Sequence, residues 1–391
     1  MDDGCVAALT TFLRTPGRPC VDLRATALFG KGHIAHAVHV SGLSSLRSRF
    51  STLPARGVPF LVVCAAAEVC DVADVFQPRE RWHIIAVLGI AEGGEPRGEP
   101  SPHAPTAHAS WTVPRDAFQA WATQAALWRT GGTRVLDRVH AAEDAPRLLF
   151  APAPVVRRAL DMWPSGARRG AVRVLDLGCG AGRDVTYILA HFREQACRRA
   201  EKVAPPLHAT LLDRWAAALG RAELLLRDNV LMGDDACDGA RCEAILCCDV
   251  GEDGRLAVRG EAGAAPQPLS RSTLASPAFD VVLVIRFWPW ALLQTLPAIV
   301  APGGIVVLSH FVHEPRRVEN TVVADDARVF DPYLSPPAHA RIQPGDVARL
   351  LDTWEGPWSV LQDRIEPIED GRPVQSVILR REPPRTDRGE A

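Results

Sequence analysis

The sequence predicts an α/β protein made of two parallel-sheet domains, and three observations carry that prediction. Short apolar runs alternate with helical stretches along most of the chain. One run, residues 172–177, breaks on three alternate glycines and passes directly into a helical stretch at Val185-Thr-Tyr-Ile-Leu-Ala190. Near the end, residues 358–365 and 374–379 read as strands joined through Glu369-Asp-Gly371, a hairpin signal.

Bulk properties agree with this class. At 391 residues, 47% hydrophobic and 23% charged, the chain is long enough for two cores. A net charge of -2 with no block of like charges argues against nucleic acid or an acidic membrane as partner. No apolar run is long enough to span a bilayer. The ten cysteines form no C-x-x-C pair and follow no secretory leader, and Met1-Asp-Asp is acidic where a transit peptide is Arg-rich. A reducing, cytoplasmic setting is expected.

In order along the chain, the expected organisation is a first domain over residues 1–100, a linker and amphipathic helix over 101–144, a second domain over 145–384 and a tail over 385–391. The linker follows from the Gly, Glu, Pro, His and Ser composition of residues 91–110. Phe118, Trp121, Ala122, Ala125 and Trp128 then recur at near-helical spacing, which predicts a helix packing between the domains.

The first domain offers Cys20-Val-Asp-Leu-Arg24, Gly32-His-Ile-Ala-His-Ala-Val-His-Val40, the strand Pro59-Phe-Leu-Val-Val-Cys64, a helical stretch over 69–76 and His83-Ile-Ile-Ala-Val-Leu88. This succession resembles a rhodanese domain. The resemblance implies that Cys64, at its strand end, takes the position that carries a persulfide within a ring of backbone N–H groups. The loop departs from the family: Cys64-Ala-Ala-Ala-Glu-Val-Cys70 holds no Gly and no Arg, and Glu68 places a negative charge beside the thiol. Weak or absent sulfurtransferase activity is expected, with the domain docking a partner protein or regulating the second domain.

His33, His36 and His39 invite a metal reading, but the segment reads as extended, so the three do not converge. Cys237, Cys242, Cys247 and Cys248 match no common zinc spacing. No metal site is expected.

In the second domain, Arg173-Val-Leu-Asp-Leu-Gly-Cys-Gly-Ala-Gly-Arg-Asp184 is not the G-x-G-x-x-G of a dinucleotide site, since Arg183 stands at the sixth place. It resembles motif I of the class I S-adenosylmethionine-dependent methyltransferases. That resemblance implies that Gly178, Gly180 and Gly182 pass under the methionine part of S-adenosylmethionine, with Asp176 holding the loop and the amino group. Asp213, ending the strand over 207–213, is then the ribose acid, and Asp249 with Val250 stands against the adenine. Phe279-Asp-Val-Val-Leu-Val-Ile-Arg-Phe287, a Leu-Leu helix, Pro302-Gly-Gly304 and the strand ending in Phe311 are similar to the tellurite-resistance-type branch. There the Arg-Phe pair, here Arg286 and Phe287, faces cofactor and substrate. The implied fold is a Rossmann-like seven-stranded methyltransferase sheet closed by a terminal antiparallel hairpin.

Methyl transfer from a sulfonium needs alignment and a dry site more than acid–base help. Arg286 is placed to bind an anionic acceptor, and His310 and His313 to deprotonate one. The expected function is methylation of a small, soft or anionic acceptor. The alternatives are a bifunctional rhodanese/methyltransferase acting on RNA or protein, and a docking or regulatory protein with a non-catalytic rhodanese domain.

Overall fold

The computed structural model describes residues 3–15, 18–76, 82–92, 109–131, 148–163, 170–198, 205–233, 239–259, 266–269, 274, 278–312 and 335–383. The chain divides into two compact units, residues 1–151 with 228–230, and residues 152–227 with 231–391.

In the first unit, α1 (Asp3–Arg14) precedes β1 (Cys20–Asp22), α2 (Thr26–Lys31), β2 (His33–Ile34), β3 (Val38–His39), α3 (Leu43–Leu46), β4 (Pro59–Ala65), α4 (Val69–Val75) and β5 (His83–Ala91). Then come β6 (Ala109–Pro114), α5 (Arg115–Gln124) and β7 (Trp128–Arg129). The main sheet runs β3-β1-β4-β5-β6, with every neighbouring pair parallel. Both faces are covered: Leu61 and Val63 join one core cluster, Phe60, Val62 and Cys64 the other. Burial on both faces is why these strands read as unbroken apolar runs.

The stretch expected to be linker and inter-domain helix belongs to this unit instead. Residues 109–114 add the fifth strand, pairing Ala86–Ala91 in register with Ala109–Pro114. Helix α5 turns Phe118, Trp121 and Ala122 into the unit's own core. The Trp128 ring occupies the space a Cβ on Gly32 would need, 1.7 Å away. The helical spacing was legible; its partner face was not, because a strand buried on both faces and a helix share short apolar runs.

At the end of β1 lies a buried ion pair. Arg24 and Asp22 have side chains 1% and 0% exposed, joined by Nη2–Oδ2 at 2.6 Å and Nε–Oδ1 at 3.0 Å. Arg24 also donates to the Gly32 carbonyl at 2.9 Å and lies over the Phe118 ring.

The second unit carries α6 (Pro154–Met162), β8 (Val172–Leu177), α7 (Arg183–Arg198), β9 (Leu207–Asp213), α8 (Ala216–Asp228), β10 (Ala240–Val250) and β11 (Leu256–Val258). It continues with β12 (Phe279–Ile285), α9 (Trp290–Leu293), β13 (Val300–Phe311), α10 (Asp346–Asp352), β14 (Trp358–Pro367) and β15 (Pro373–Arg381). Its sheet has eight strands in the order β11-β10-β9-β8-β12-β13-β15-β14. The run from β10 to β13 is parallel; β15 inserts antiparallel beside β13, with β14 at the edge. The terminal hairpin stands where the sequence places it. The eighth strand, β11, pairs antiparallel with the end of β10.

Strand order reverses at β8: the chain proceeds outward through β9 and β10, then crosses to β12 on the other side. In open α/β sheets the crevice at such a reversal, off the carboxyl ends of the strands, is where ligands bind. The β8–α7 glycine loop and Arg286-Phe287 after β12 both lie at that end of neighbouring strands.

Candidate functional site

The glycine loop is anchored to β9. Gly178 and Cys179 both donate to the Leu212 carbonyl, at 2.8 and 3.0 Å, and Gly182 closes the turn on Cys179. Gly178, Gly180 and Gly182 all have left-handed φ, at 76°, 55° and 71°. A Cβ on Gly178 would sit 2.9 Å from Phe287, and one on Gly182 3.0 Å from the Ala222 Cβ. Gly180 differs: a Cβ there meets nothing within 4 Å. The loop therefore packs on two of its glycines and presents the third to open space.

Asp213 fixes that presentation. Its Oδ2 accepts the Gly180 N–H at 2.8 Å and its Oδ1 accepts the Trp215 N–H at 2.8 Å. Each carboxylate oxygen retains a lone pair for a hydroxyl. The Trp215 ring itself is 64% exposed.

Below the loop Asp176 is buried, and its Oδ2 has no hydrogen-bond partner. Burial first, then the carboxylates of Asp184 and Asp213, push its pKa well above the usual range. Asp184 is also pushed up by burial, against the Ala153 N–H that it accepts at 2.6 Å and the charges of Arg286 and Arg183. Three acids thus converge on the loop, and a ligand cation there would relieve their mutual repulsion. The sign for stability follows. A carboxyl whose folded pKa is raised penalises the folded state above its unfolded pKa, and the penalty grows as pH rises. Asp176→Asn is therefore expected to raise the melting temperature of the free protein at pH 8 more than at pH 5, read by thermal denaturation at the two pH values.

Beyond β12, Arg286 takes a left-handed φ of 59°, a conformation that costs a non-glycine residue about 1–3 kcal/mol. Its N–H donates to the Ser309 carbonyl at 2.5 Å, and its Nη2 meets Glu369 Oε2 at 3.1 Å. Glu369 sits in the β14–β15 turn. On the same turn Arg372 holds Asp370, donates to the Ser335 carbonyl and lies 4.3 Å over the Phe311 ring.

His310 does not stand as an exposed base. The residue is buried, Nε2 donates to the Ala340 carbonyl at 2.8 Å, and Nδ1 is enclosed beside the Arg286 carbonyl. Burial lowers its pKa, against the Ala340 and Arg286 carbonyls. A neutral imidazole that ties β13 to residue 340 positions the strand end; it does not meet solvent. His313 lies outside the described residues.

Asp249 and Val250 also fall elsewhere than expected. The antiparallel pairing with β11 carries Asp249 onto an exposed hairpin, where Arg259 grips it at 2.7 and 2.9 Å and holds its pKa below the usual range. Val250 is half-buried against the apolar core. It is Cys247 that pairs level with Asp213. The signal for this shift was Arg259, ten residues on, whose charge complements Asp249 across a tight hairpin. Asp249→Ala is expected to leave ligand binding at the glycine loop unchanged in a calorimetric titration, because the acid is spent on an exposed ion pair.

In the first unit Cys64 is next to last in β4, opposite Gly89 of β5. The turn after it rests on that glycine: a Cβ on Gly89 would lie 2.5 Å from Val69 and 3.1 Å from Ala66. Cys64 is fully buried, and burial, then Glu68 and Asp22, push its thiol up to about 12 despite Arg24. The Glu68 carboxylate instead accepts the Ala65 N–H, at 3.3 Å. Of the histidines, His33 stacks on Phe29 and bonds its carbonyl, while His39 bonds the Arg24 carbonyl. Among the described residues no three potential ligands gather as a metal site. No helix among them is long and apolar enough to cross a membrane.

No family model matches the chain. An uncharacterised protein of Schizosaccharomyces pombe is 26% identical over 251 residues, covering 60% of this chain and 64% of its own length, so the chain spans just under two thirds of that relative. Among solved structures, an arsenic(III) S-adenosylmethionine methyltransferase from Chlamydomonas reinhardtii is similar at 21% identity and TM-score 0.32, over 59% of this chain and 74% of its own. The CurJ carbon methyltransferase is similar at 16% identity and TM-score 0.34, over 58% and 52%. A putative class I S-adenosylmethionine-dependent methyltransferase from Listeria monocytogenes is similar at 11% identity and TM-score 0.35, over 61% and 60%. At such scores the meaning of the site rests on the chain's own residues.

Proposed function

We propose that the second unit binds S-adenosylmethionine and transfers its methyl group to a small, soft or anionic acceptor. The observation that carries this reading is the Gly180 loop. It faces open space at a strand-order reversal, is held by Asp213, and lies over a buried Asp176 oxygen that lacks a partner. A cationic amino group would complete Asp176, ribose hydroxyls would bond Asp213, and Gly180 would leave room for the ligand backbone. The cofactor supplies a methyl group already activated on a sulfonium. The chain's part is to orient both reactants and exclude water, with Phe287 packed on Gly178 to fix the loop against β12. Isothermal calorimetry with S-adenosylhomocysteine tests the reading: a clear binding heat is expected, and its absence from folded protein would sink it. Asp213→Ala is expected to weaken binding by about 1.5–3 kcal/mol, the scale of hydrogen bonds to a charged group.

The first unit, on this reading, is a rhodanese-like fold that docks a protein partner and carries no sulfur. A buried thiol at about 12 is protonated at neutral pH, and the turn after it packs Val69 and Ala66 onto Gly89 of the neighbouring strand. Thiocyanate release from thiosulfate and cyanide is expected to be the same for the wild type and Cys64→Ser. Robust turnover lost in the variant would make this a bifunctional sulfur enzyme.

A further inference from the structure

We propose that Asp184 is a positioning residue for the cofactor: from the first turn of α7 it caps α6 across the fold, and so holds Pro152-Ala153, the entry to α6, as a wall beside the glycine loop. The role rests on the S-adenosylmethionine reading above; the cap itself does not.

The sequence of α6 does not begin a helix well by itself. Its N-cap is Ala153, which has no side-chain oxygen, and Val156 at the third helical position cannot reach back as a Glu or Gln would. Proline stands on both sides, at 152 and 154, so the Ala153 N–H is the one backbone donor over these three residues. Asp184 accepts it: Oδ1 lies 2.6 Å away, 31 residues further along the chain. A capping-box acid does this from within its own helix; here a second helix supplies the acid. Asp184 also lies in the first turn of α7, so one carboxylate serves the positive ends of two helices. The Ala153 N–H and the charges of Arg286 and Arg183 offset part of what its burial costs.

That cap decides where α6 starts. Asp184 is two residues beyond Gly182, and its charge reaches Asp176 below the loop and Arg286 beyond β12. Pro152 is buried, and Val155, Val156 and Ala159 enter the core on which Cys179 of the glycine loop packs. The entry to α6 therefore stands at the end of the sheet where Gly180 faces open space. The helix has a second fastening farther along, where Arg158 donates to Gln362 and Glu366 of β14. Both hold the same helix, but only the first lies at the loop, which makes the second a control. With the Asp184 bond gone, residues 152–154 keep no N–H to tie them down, and the wall shifts while the core under α6 stays packed.

Variants of the full chain separate this role from direct contact with the ligand and from general stability. Ala153→Pro deletes the N–H and leaves the acid in place, and the Ala153 φ of -52° suits proline. Asp184→Asn keeps an acceptor oxygen and removes the charge. Calorimetry with S-adenosylhomocysteine is expected to show affinity weakened roughly 10–100-fold in Ala153→Pro and in Asp184→Ala, the equivalent of one hydrogen bond to a charged group. Asp184→Asn is expected to stay within roughly fivefold of the wild type. Arg158→Met is expected to lower the melting temperature and leave the affinity unchanged. Hydrogen exchange at residues 155–157 should slow on ligand addition in the wild type and in Asp184→Asn, and not in Ala153→Pro. Wild-type affinity in Ala153→Pro would overturn the role. So would an Asp184→Asn protein as weak as Asp184→Ala, since the carboxylate would then be meeting the ligand itself. An equal loss of affinity in Arg158→Met would reduce the bond to general stability and overturn it too. No binding heat from the wild type would instead remove the S-adenosylmethionine reading, and this role with it.

Discussion

Gly180→Val is expected to abolish S-adenosylhomocysteine binding while leaving the protein folded. The two halves of that result have separate causes. Folding loses little because a Cβ at residue 180 meets no atom within 4 Å, so nothing in the loop has to move. What remains is the cost of a left-handed conformation for an L-residue, about 1–2 kcal/mol, in a loop anchored by the Leu212 carbonyl and Asp213. Binding loses everything because the same empty volume is where the ligand must approach the backbone. Gly178→Ala is the contrasting control. Its Cβ would strike Phe287 at 2.9 Å, so it should lower stability first and affinity only in consequence. Calorimetry and thermal denaturation on the two variants separate these outcomes. Undiminished affinity in Gly180→Val would mean that the space over the loop is not a cofactor site.

That contrast between neighbouring glycines marks where the sequence stops being informative. The alternation of three glycines after an apolar strand announces a tight turn into a helix, and Asp176, Asp213 and the strand ends around them fall where the pattern puts them. Which glycine faces a ligand depends on what packs against the loop, and Phe287 and Ala222 come from segments far along the chain. Asp249 shows the same limit from the other side. The family resemblance implied an adenine contact for it, but the pairing of Leu256–Val258 with β10 lengthens that strand into a hairpin and gives the acid to Arg259. His310 was legible as a polar residue at a strand end; its burial is set by residue 340, whose carbonyl consumes the ring N–H. Glu369 was read as part of a turn because turn chemistry explains it fully. Its reach to Arg286 is a tertiary fact. Local pattern fixes elements and their ends, whereas the partners of charged side chains are chosen by chain crossings that no short-range spacing encodes.

The largest effect on stability is expected at Asp22 in the first unit. Asp22→Ala leaves the Arg24 guanidinium in a site where its side chain is 1% exposed, with the Gly32 carbonyl and the Phe118 face as its remaining described partners. Removing one member of a buried pair in this way costs about 3–5 kcal/mol, because the other charge stays desolvated. At roughly 2–4 °C per kcal/mol for a unit of this size, the first unit should melt about 6–20 °C lower. The pair is not thereby a net source of stability. Desolvation of both ions offsets most of their attraction, so the double replacement Asp22→Leu with Arg24→Met should recover most of the loss. Arg24→Met alone should be as damaging as Asp22→Ala, since it strands the carboxylate and also frees the Gly32 carbonyl. The readout is a double-mutant cycle by denaturant unfolding, following Trp121 and Trp128, which belong to the same core. Single variants that each cost less than about 1 kcal/mol would show that solvent reaches the pair, contrary to its burial. A double variant no better than the singles would instead show that the fork of hydrogen bonds, and not charge balance, holds the end of β1 against Gly32.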